Sequence, residues 1–427
     1  MLRLPGSIAV VGASLAGARA VEALRLKGYS GKLVLVGEEK LRPYERPPLS
    51  KAALVDQPAP EPQWVHAADY YAANDITLIT GEKVTSLRPG ETLTLKFASG
   101  ASLEADAVLL ATGGRARKLE GVGDFEHVYY IRDWDDAMRL RQALAPGKKM
   151  VVIGSGFIGA EVAASAASIG CEVEMIEALP TPFAAIASAD VREALAAAHR
   201  EAGVRIHAGT SVRSVTASPA GVRITTDAGK IIEADMVVIG IGLEPRAELA
   251  ESAGAAVDRG ILVDSQYRTS VAGLYAAGDV ATMVDAKGKR HRAEHWRSAQ
   301  EQGAAAALAM IGETAPPLSV TWCWSDQYAH KLEVAGEPRM GEREVVRRVG
   351  ASELCAFHLR DGALVGATGL NSSRLVRAAM SLIAKGAHPD PEQLADAGRP
   401  LNKVELRQPA ALVTGAADIA SEGKQNG

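Results

Sequence analysis

Cysteine is scarce in this chain. Among its 427 residues there are three, Cys171, Cys323 and Cys355, which lie far apart and form no CxxC or CxxxxC pair. Enzymes that exchange disulfides need two neighbouring thiols, so this class is excluded. Cys171 precedes an apolar run and Cys323 lies between two tryptophans, which favours core packing for both.

Long apolar runs and strong charge are also missing. No stretch approaches the roughly 18 apolar residues of a membrane-spanning helix, and the N-terminus leads directly into a strand pattern instead of a signal peptide. The net charge of −4 is mild, which argues against binding to nucleic acid or to a membrane surface. The nine histidines form no HExxH motif, and we predict no metal site. We therefore expect a cytoplasmic protein of two or three domains with no nucleic-acid or membrane partner.

A dinucleotide-binding fingerprint opens the chain. The apolar run Ile8–Val11 leads into GASLAG at 12–17, an alanine-rich helical stretch and a second apolar run that ends at Glu38 and Glu39. This order is typical of a Rossmann βαβ unit, whose ribose-binding acid falls at that point. The helix N-terminus offers free N–H groups to a pyrophosphate. We predict nucleotide binding by Gly12, Ser14, Leu15, Ala16 and Gly17, with Ser14 in place of the middle glycine.

A second and stricter copy begins at Met150. Three glycines are present in GSGFIG at 154–159, and the next strand, from 172 to 176, ends at Glu177. A carboxylate there accepts both ribose hydroxyls of NAD and repels the 2′-phosphate of NADP, so we predict NAD. A single GxGxxG can be an ordinary glycine-rich turn, but two complete units argue against that alternative. The predicted residues are Gly154, Gly156, Phe157, Ile158, Gly159 and Glu177.

Two buried-strand patterns mark the exits from these units. Ala107–Leu110 runs into a glycine turn, and Met236–Gly240 repeats the pattern after the second unit. A later strand pattern delivers Asp279, which either bonds a ribityl hydroxyl of a flavin or caps the helical segment that follows. The candidate binding residues here are Ala111, Thr112, Gly113, Gly242 and Asp279.

Together these residues resemble the ferredoxin reductases that serve bacterial aromatic-ring dioxygenases and cytochromes P450, flavoproteins related to glutathione reductase. The resemblance extends from Ile8 to about Leu406. Its most specific motifs are RPYERPPLSK at 42–51, ATG at 111–113, GD at 278–279, EHW at 294–296 and WSDQ at 324–327.

This resemblance implies an α/β fold with two Rossmann-like dinucleotide-binding domains, the FAD domain being discontinuous, and a C-terminal α+β interface domain. Alternation and turn glycines between 331 and 366 predict antiparallel strands there, and helices follow near 374–384 and 391–396. The expected boundaries are 1–115 and 245–320 for the FAD domain, 116–244 for the NAD domain, 321–407 for the C-terminal domain and 408–427 for a disordered tail.

The resemblance also implies roles for particular residues. Glu38 would hold the adenosine ribose of FAD, and Arg46 and Lys51 would lie over its phosphates and its isoalloxazine edge. A lysine at that edge stabilises the negative charge that reduction places on the ring. The alternative for Arg46 and Lys51 is a solvated loop.

Four further residues have open alternatives. Arg132 would contact the flavin nucleotide or form an interdomain salt bridge, and Glu161 would orient the nicotinamide or lie on the surface. Trp296 and Trp324 would cover the flavin or pack in a core. Lys51 and Glu161 are the candidate catalytic residues.

The predicted activity is transfer of hydride from NADH to FAD and then of single electrons to a 2Fe–2S ferredoxin that feeds an oxygenase, by a monomer or weak homodimer. Pro47 and Pro48 stand where disulfide reductases carry their cysteines. Basic residues could steer the ferredoxin, although scattered surface arginines are usually only solvated. The candidates are Arg290, Arg292, Arg297, Arg339 and Arg347.

Three alternatives remain open. A rubredoxin reductase would share every motif. An NADH oxidase or peroxidase is disfavoured because no cysteine precedes Cys171. A signalling flavoprotein of apoptosis-inducing-factor type finds no support in a nuclear-targeting or DNA-binding charge run.

Overall fold

The computed structural model describes residues 4–123, 125–184, 188–350 and 352–408. Apart from Gln408, the tail that the sequence predicts to be disordered lies outside the described residues. None of the described helices is both long and apolar enough to cross a membrane.

The N-terminal stretch forms the first βαβ unit and a small antiparallel sheet. Its strands β1, β2 and β7 are apolar runs buried along nearly their whole length, as expected in a parallel sheet covered on both faces. The elements are β1 (Ser7–Val11), α1 (Leu15–Leu26), β2 (Lys32–Val36), α2 (Ala52–Val55), α3 (Tyr70–Ala73), β3 (Ile76–Ile79), β4 (Val84–Arg88), β5 (Leu93–Phe97), β6 (Ser102–Ala105), β7 (Ala107–Leu110) and β8 (Gly114–Ala116).

The next stretch repeats the arrangement. Its elements are β9 (Val128–Tyr129), α4 (Trp134–Ala143), β10 (Lys149–Ile153), α5 (Phe157–Ile169), β11 (Glu172–Glu177), α6 (Ala189–Glu201), β12 (Arg205–Ala208), β13 (Val212–Ser218), β14 (Gly221–Thr226), β15 (Ile231–Ala234), β16 (Met236–Ile239) and β17 (Leu243–Pro245). The parallel sheet β12-β11-β10-β16-β9, with α5 and α6, is named the second region.

The chain then returns to the first sheet. It forms α7 (Glu248–Ser252), β18 (Ile261–Val263), β19 (Leu274–Ala276), β20 (Ala281–Val284), β21 (Arg290–His291) and α8 (Trp296–Met310). Strand β19 pairs in parallel with β7 and completes the order β19-β7-β1-β2-β3, and α8 packs on α1. This sheet with α1 and α8 is named the first region. It is built from two separated stretches, as the discontinuous fold requires, although the individual domain boundaries stay a prediction.

The remaining residues form the C-terminal module. It contains β22 (Trp322–Gln327), β23 (His330–Gly336), β24 (Arg343–Arg348), β25 (Leu354–Arg360), β26 (Ala363–Leu370), α9 (Ser373–Ala384) and α10 (Pro391–Ala395). The sheet is antiparallel in the order β22-β23-β26-β25-β24, which confirms the predicted α+β module. Strand β22 was not predicted, because its buried face carries Cys323, Ser325 and Gln327 and therefore lacks an apolar alternation.

Candidate functional site

A cleft of about 2250 Å³ opens between the first region, the second region and the C-terminal module. It is lined by most of the residues predicted to bind FAD and by three of those predicted to bind NAD. These are Gly12, Ser14, Leu15, Ala16, Glu38, Arg46, Lys51, Ala111, Thr112, Gly113, Arg132, Asp279, Trp296 and Trp324, with Phe157, Ile158 and Glu161.

The loop between β1 and α1 has no room for larger residues. Gly12 has a φ of +116°, and a Cβ on it would lie 2.1 Å from the carbonyl oxygen of Ala111. A Cβ on Gly17, which does not line the cleft, would lie 2.0 Å from the carbonyl oxygen of Gly12. Ser14 caps α1 without a side-chain bond to the helix. The backbone N–H groups at this helix N-terminus are therefore left for a phosphate.

Arg46 ties the loop 42–51 to this helix terminus. Its Nε donates to Ser14 Oγ at 3.1 Å, and its other nitrogens bond the carbonyl of Arg132 and the carboxylate of Glu39. Burial would lower the pKa of Arg46, but Glu39, Tyr44 and Asp133 together raise the pKa of the guanidinium above its usual range. Tyr44 donates to the second Glu39 oxygen at 2.5 Å. The solvated-loop alternative for Arg46 is wrong.

Arg132 lies beside Arg46 and bonds Asp279 Oδ2 at 3.2 Å. Burial, together with the charge of Arg46, lowers the pKa of Arg132 below its usual range. Arg132 thus forms the ion pair of one interpretation and also lines the cleft, while its contact with the flavin nucleotide stays a prediction. Two guanidinium groups and a helix N-terminus form a donor set that fits a pyrophosphate, and the glycine cradle fits its close approach. The residues present thus fit FAD.

Glu38 follows β2, as the ribose-binding acid should. Its carboxylate bonds Arg246 and lies 3.4 Å from Lys83 Nζ. Burial would raise the pKa of Glu38, but the hydrogen bond and charge of Arg246, with Lys83, hold it below its usual range. Each carboxylate oxygen has more than one acceptor site, so ribose hydroxyls can still be bound. Sequence reasoning missed Arg246, since no local pattern links it to a residue 208 positions away.

Glu161 and Lys51 form an ion pair that lines the cleft. Lys51 Nζ lies 3.0 Å from Glu161 Oε1, and the same carboxylate accepts bonds from the Ser50 hydroxyl, from Ser325 Oγ at 2.8 Å and from the Asp326 N–H at 3.3 Å. Glu161 is only 5% exposed. The surface alternative for Glu161 and the solvated-loop alternative for Lys51 are both wrong. Residues from the loop 42–51 and from β22 thus bond the carboxylate of Glu161, which lies on α5. The contacts of Ser50 and Ser325 were not predicted from the sequence.

Part of the cleft wall is aromatic. The rings of Trp296 and Trp324 lie edge to face with centroids 5.9 Å apart, and Trp322 stacks on Trp324 at 5.1 Å. The Trp296 indole donates to Glu45, another unpredicted contact, and Trp324 Nε1 donates to Asp326 Oδ2 at 3.0 Å. Trp296 and Trp324 are half-buried and line the cleft, so neither is an ordinary core residue.

The second glycine loop is constructed like the first. Gly154 has a φ of +99°, and a Cβ on it would lie 2.5 Å from the carbonyl oxygen of Gly240. A Cβ on Gly159 would lie 2.1 Å from the carbonyl oxygen of Gly154. Gly156 caps α5, whose first turn carries Phe157 and Ile158 into the cleft.

Glu177 ends β11 next to this loop. It accepts hydrogen bonds of 2.9 Å from the N–H groups of Ser155 and Leu179. Gly242, with a φ of +109°, has open space where a Cβ would be. Gly154, Gly156, Gly159, Glu177 and Gly242 do not line the cleft; α5 connects their end of the second region to Glu161.

All three cysteines are buried, as predicted for Cys171 and Cys323. Burial raises the pKa of Cys323 and of Cys355 to about 12 and also raises the pKa of Cys171. Cys323 is the one cysteine that lines the cleft. No thiolate is available for disulfide exchange. Within the described ranges, no group of three or more His, Cys, Asp or Glu side chains could hold a metal ion.

One candidate for partner steering is wrong. Arg347 is only 2% exposed, and its guanidinium donates to the carbonyls of Leu394, Arg399 and Gln393. It holds the turn around α10 inside the C-terminal module. Three of the other candidates are in ion pairs: Arg290 with Asp258, Arg292 with Glu294, and Arg297 with Glu301.

Similar proteins have the same two-part organisation. Residues 6–303 match the family model "Pyridine nucleotide-disulphide oxidoreductase", and residues 322–405 match "Reductase C-terminal". The ferredoxin–NAD(+) reductase component of an anthranilate 1,2-dioxygenase system from Burkholderia cepacia is 39% identical, over 91% of this chain and 96% of that protein. A terpredoxin reductase from a Pseudomonas species is 35% identical, over 92% and 96%.

Solved structures agree with these relatives. The putidaredoxin reductase in a covalent complex with putidaredoxin superposes with a TM-score of 0.88 at 31% identity, over 92% of this chain and 97% of that one. The ferredoxin reductase for the CYP199A2 system from Rhodopseudomonas palustris also gives 0.88, at 32% identity, over 93% and 98%. With its two glycine cradles, its Reductase C-terminal module and its buried thiols, the chain belongs to the pyridine nucleotide-disulphide oxidoreductase family.

Proposed function

We propose that this protein is an NADH-dependent ferredoxin reductase. It takes hydride from NADH and delivers electrons one at a time to a 2Fe–2S ferredoxin that supplies an oxygenase. The observation that carries the proposal is the Lys51–Glu161 pair, which lies in one cleft with residues of both glycine-loop regions and with no reactive thiol. When bound, FAD supplies both hydride acceptance and the conversion from two-electron to one-electron transfer.

The first region would hold the FAD. Arg46, Arg132 and the N-terminus of α1 offer positive charge and N–H donors to the pyrophosphate. Glu38 would accept the adenosine ribose hydroxyls. Because Glu39 and Asp279 already hold the two guanidinium groups, little ordering is needed when the cofactor enters.

Lys51 has donors to spare. An ammonium group has three N–H donors, and Glu161 takes one of them. The others can meet an oxygen or nitrogen acceptor in the cleft and stabilise negative charge there. Glu161 is fixed from three sides, so it can orient a carboxamide and hold Lys51 in place without moving itself.

The second region would bind NADH. Glu177 is held at the end of β11 by two backbone N–H groups and faces the position of the adenosine ribose in a βαβ unit. A carboxylate there repels the extra phosphate of NADPH. The preference for NADH, like the roles of the individual binding residues, stays a prediction.

The partner is inferred from chemistry and from the relatives. With every thiol buried, electrons leave to an external acceptor. The anthranilate dioxygenase component and the putidaredoxin reductase point to a 2Fe–2S ferredoxin in an oxygenase system, such as one that degrades aromatic compounds. A cytoplasmic location, where NADH is supplied, and a monomer or weak homodimer are part of the same proposal.

The test is NADH-dependent reduction of cytochrome c by the FAD-loaded protein, with and without plant-type and adrenodoxin-type ferredoxins. A large ferredoxin-dependent increase supports the proposal. A similar increase with rubredoxin alone would instead assign a rubredoxin reductase. No increase with any carrier, together with fast oxygen consumption, would overturn the proposal and assign an NADH oxidase.

A further inference from the structure

A line of buried polar groups leads away from Glu161 and out of the cleft. Ser325 Oγ, which donates to Glu161, accepts a hydrogen bond of 3.0 Å from Gln327 Nε2. Gln327 Oε1 lies 3.0 Å from Nε2 of His199 on α6, in the second region. His199, Ser325 and Gln327 are each at most 1% exposed, and none of them lines the cleft.

The direction of each hydrogen bond is fixed by its neighbours. A carboxylate only accepts, so Ser325 donates to Glu161, and Gln327 donates its amide N–H to Ser325. The free oxygen of that amide then requires a proton on His199 Nε2. Burial lowers the pKa of His199, which leaves the other ring nitrogen as an acceptor for the Tyr328 hydroxyl at 3.0 Å. Four donors therefore point in series toward Glu161.

The imidazole also lies between two aromatic residues with unusual backbones. The Phe183 ring stacks on it at 5.6 Å, and the Tyr328 ring meets it edge-on at 5.0 Å. Phe183 has a φ of +60° and Tyr328 a φ of +56°. Bulky residues rarely adopt this left-handed conformation, and strain of this kind is concentrated at functional sites. Tyr328 even occupies the two-residue turn between β22 and β23, where glycine or asparagine is preferred.

Phe183 extends the connection toward the other end of the second region. Its backbone N–H donates to Ser155 Oγ at 3.0 Å, and Ser155 Oγ bonds Glu177 at 2.5 Å. The buried His199 ring is therefore connected, through intervening residues, to both Glu177, predicted to bind ribose, and Glu161, predicted to face the nicotinamide. Both ring nitrogens of His199 are bonded, so replacing the ring with an apolar one would leave the buried Gln327 Oε1 without its donor.

We propose that His199 is a positioning residue for hydride transfer. It docks β22 of the C-terminal module onto α6 and, through Gln327 and Ser325, fixes the orientation of the Glu161 carboxylate toward Lys51. The inference rests on the proposed function, because it assumes that NADH reacts at Glu161. Its consequence is that the rate of hydride transfer depends on a side chain that touches neither nucleotide site.

The first test replaces His199 with phenylalanine, which keeps the stacking on Phe183 and removes both hydrogen bonds. We expect the rate at which NADH reduces the bound flavin, measured without oxygen and without ferredoxin, to fall about fivefold, the equivalent of one lost hydrogen bond. The dissociation constant for NADH should change little. His199→Gln retains a donor for Gln327 and should restore most of the rate. The matched control is His358→Phe, which removes another buried imidazole, one bonded to Thr368 within the C-terminal module.

A second measurement does not depend on activity. Hydrogen exchange of the β22 backbone should be faster in His199→Phe than in His358→Phe. In a double-mutant cycle on thermal unfolding, His199→Phe and Gln327→Met should be non-additive, since they remove the same bond. Gln327→Met alone serves as the test if His199→Phe does not fold.

Equal reduction rates in the His199 and His358 variants, or additive effects with Gln327, would overturn the inference. Failure of the proposed function gives a different result. In that case NADH would not reduce the wild-type flavin, or no ferredoxin would be reduced, while exchange at β22 would still respond to His199.

Discussion

The first and second regions use the same glycine loop but surround it differently. Gly12 and Gly17 approach neighbouring carbonyls just as Gly154 and Gly159 do. Around the first loop, however, the charged side chains come from distant stretches: Arg46 beside Ser14, Arg132 beside Asp279, and Arg246 beside Glu38. Around the second loop, the acid Glu177 is held by residues 155 and 179 of the same βαβ unit.

This difference separates a retained cofactor from an exchanged one. A site assembled from segments far apart in sequence exists only when the whole fold is formed, and releasing its ligand would leave several partly buried charged groups without that ligand at once. A site made within one βαβ unit can fill and empty without disturbing other elements. We therefore predict that FAD stays bound in the first region and that NADH exchanges in the second.

The largest expected effect comes from removing one of the charged side chains that reach the first glycine loop from distant parts of the sequence. Arg46→Met leaves Glu39 without its cation and facing the FAD pyrophosphate. The Arg46–Glu39 pair is half-buried, and losing the charge-assisted hydrogen bonds of Arg46 costs about 3 kcal/mol, the upper end for hydrogen bonds to charged groups, so we expect FAD to bind about 150-fold more weakly. The measurement is fluorescence titration of the stripped protein with FAD.

The control comes from the second region. Arg200 forms an exposed pair with Glu193 on α6, and Arg200→Met should leave FAD binding unchanged because such pairs contribute less than about 1 kcal/mol. Equal loss of FAD affinity in both variants would contradict the idea that the charged side chains of the first region hold FAD.

The next effect concerns the point where the regions meet. Lys51→Met removes a donor from the cleft while Glu161 keeps its bonds to Ser50, Ser325 and Asp326. We expect FAD to remain bound and the rate of flavin reduction by NADH to fall about 100-fold, at the lower end of the range for a lost electrostatic stabiliser. Stopped-flow absorbance without oxygen measures this rate. The control is Lys27→Met, since Lys27 is exposed and pairs with Glu313. Equal rates of flavin reduction in Lys51→Met and Lys27→Met would show that Lys51 does not contribute to hydride transfer.

A smaller effect tests whether Glu177 in the second region binds a ribose, as Glu38 is predicted to do in the first. Glu177→Ala should lower kcat/KM for NADH about tenfold, because hydrogen bonds to a charged acceptor are lost, and should raise kcat/KM for NADPH, because the carboxylate that repels the 2′-phosphate is gone. FAD content should not change. Glu172→Ala, an exposed position on the same strand, should alter neither value. If NADPH and NADH are affected alike, Glu177 supports the loop and does not select the nucleotide.

The parts of the fold that could be predicted are those whose residues are neighbours in sequence. Strand β7 lies at the predicted residues, and β1 extends the prediction by one residue, because both are short apolar runs buried on both faces. The two glycine loops follow from local turn geometry. The strands of the C-terminal module with alternating apolar residues were predicted to within a few residues of their ends.

The contacts that complete the site were not predictable in this way. The Trp296–Glu45 hydrogen bond joins residues 251 positions apart. Ser50 and Ser325, which both donate to Glu161, are 111 and 164 positions away from it in sequence. No periodicity encodes such pairs. Arg347 was misread for the same reason: its charge suggests a surface, whereas the carbonyls around α10 need a buried donor that only the fold shows.

The smallest expected effect concerns the one thiol in the cleft. Cys323 lies on β22 of the C-terminal module and lines the cleft, so if it exchanged electrons, a comparison of only the flavin site and the nicotinamide site would be incomplete. Burial raises the pKa of this thiol to about 12, so it stays protonated at neutral pH, and only the thiolate is a nucleophile. We expect Cys323→Ser to change ferredoxin reduction less than twofold, a difference of under about 0.4 kcal/mol in barrier height. Iodoacetamide at neutral pH should not inactivate the wild-type protein. Rapid inactivation that NADH accelerates and Cys323→Ser prevents would show a working thiol and would favour the NADH oxidase or peroxidase alternative.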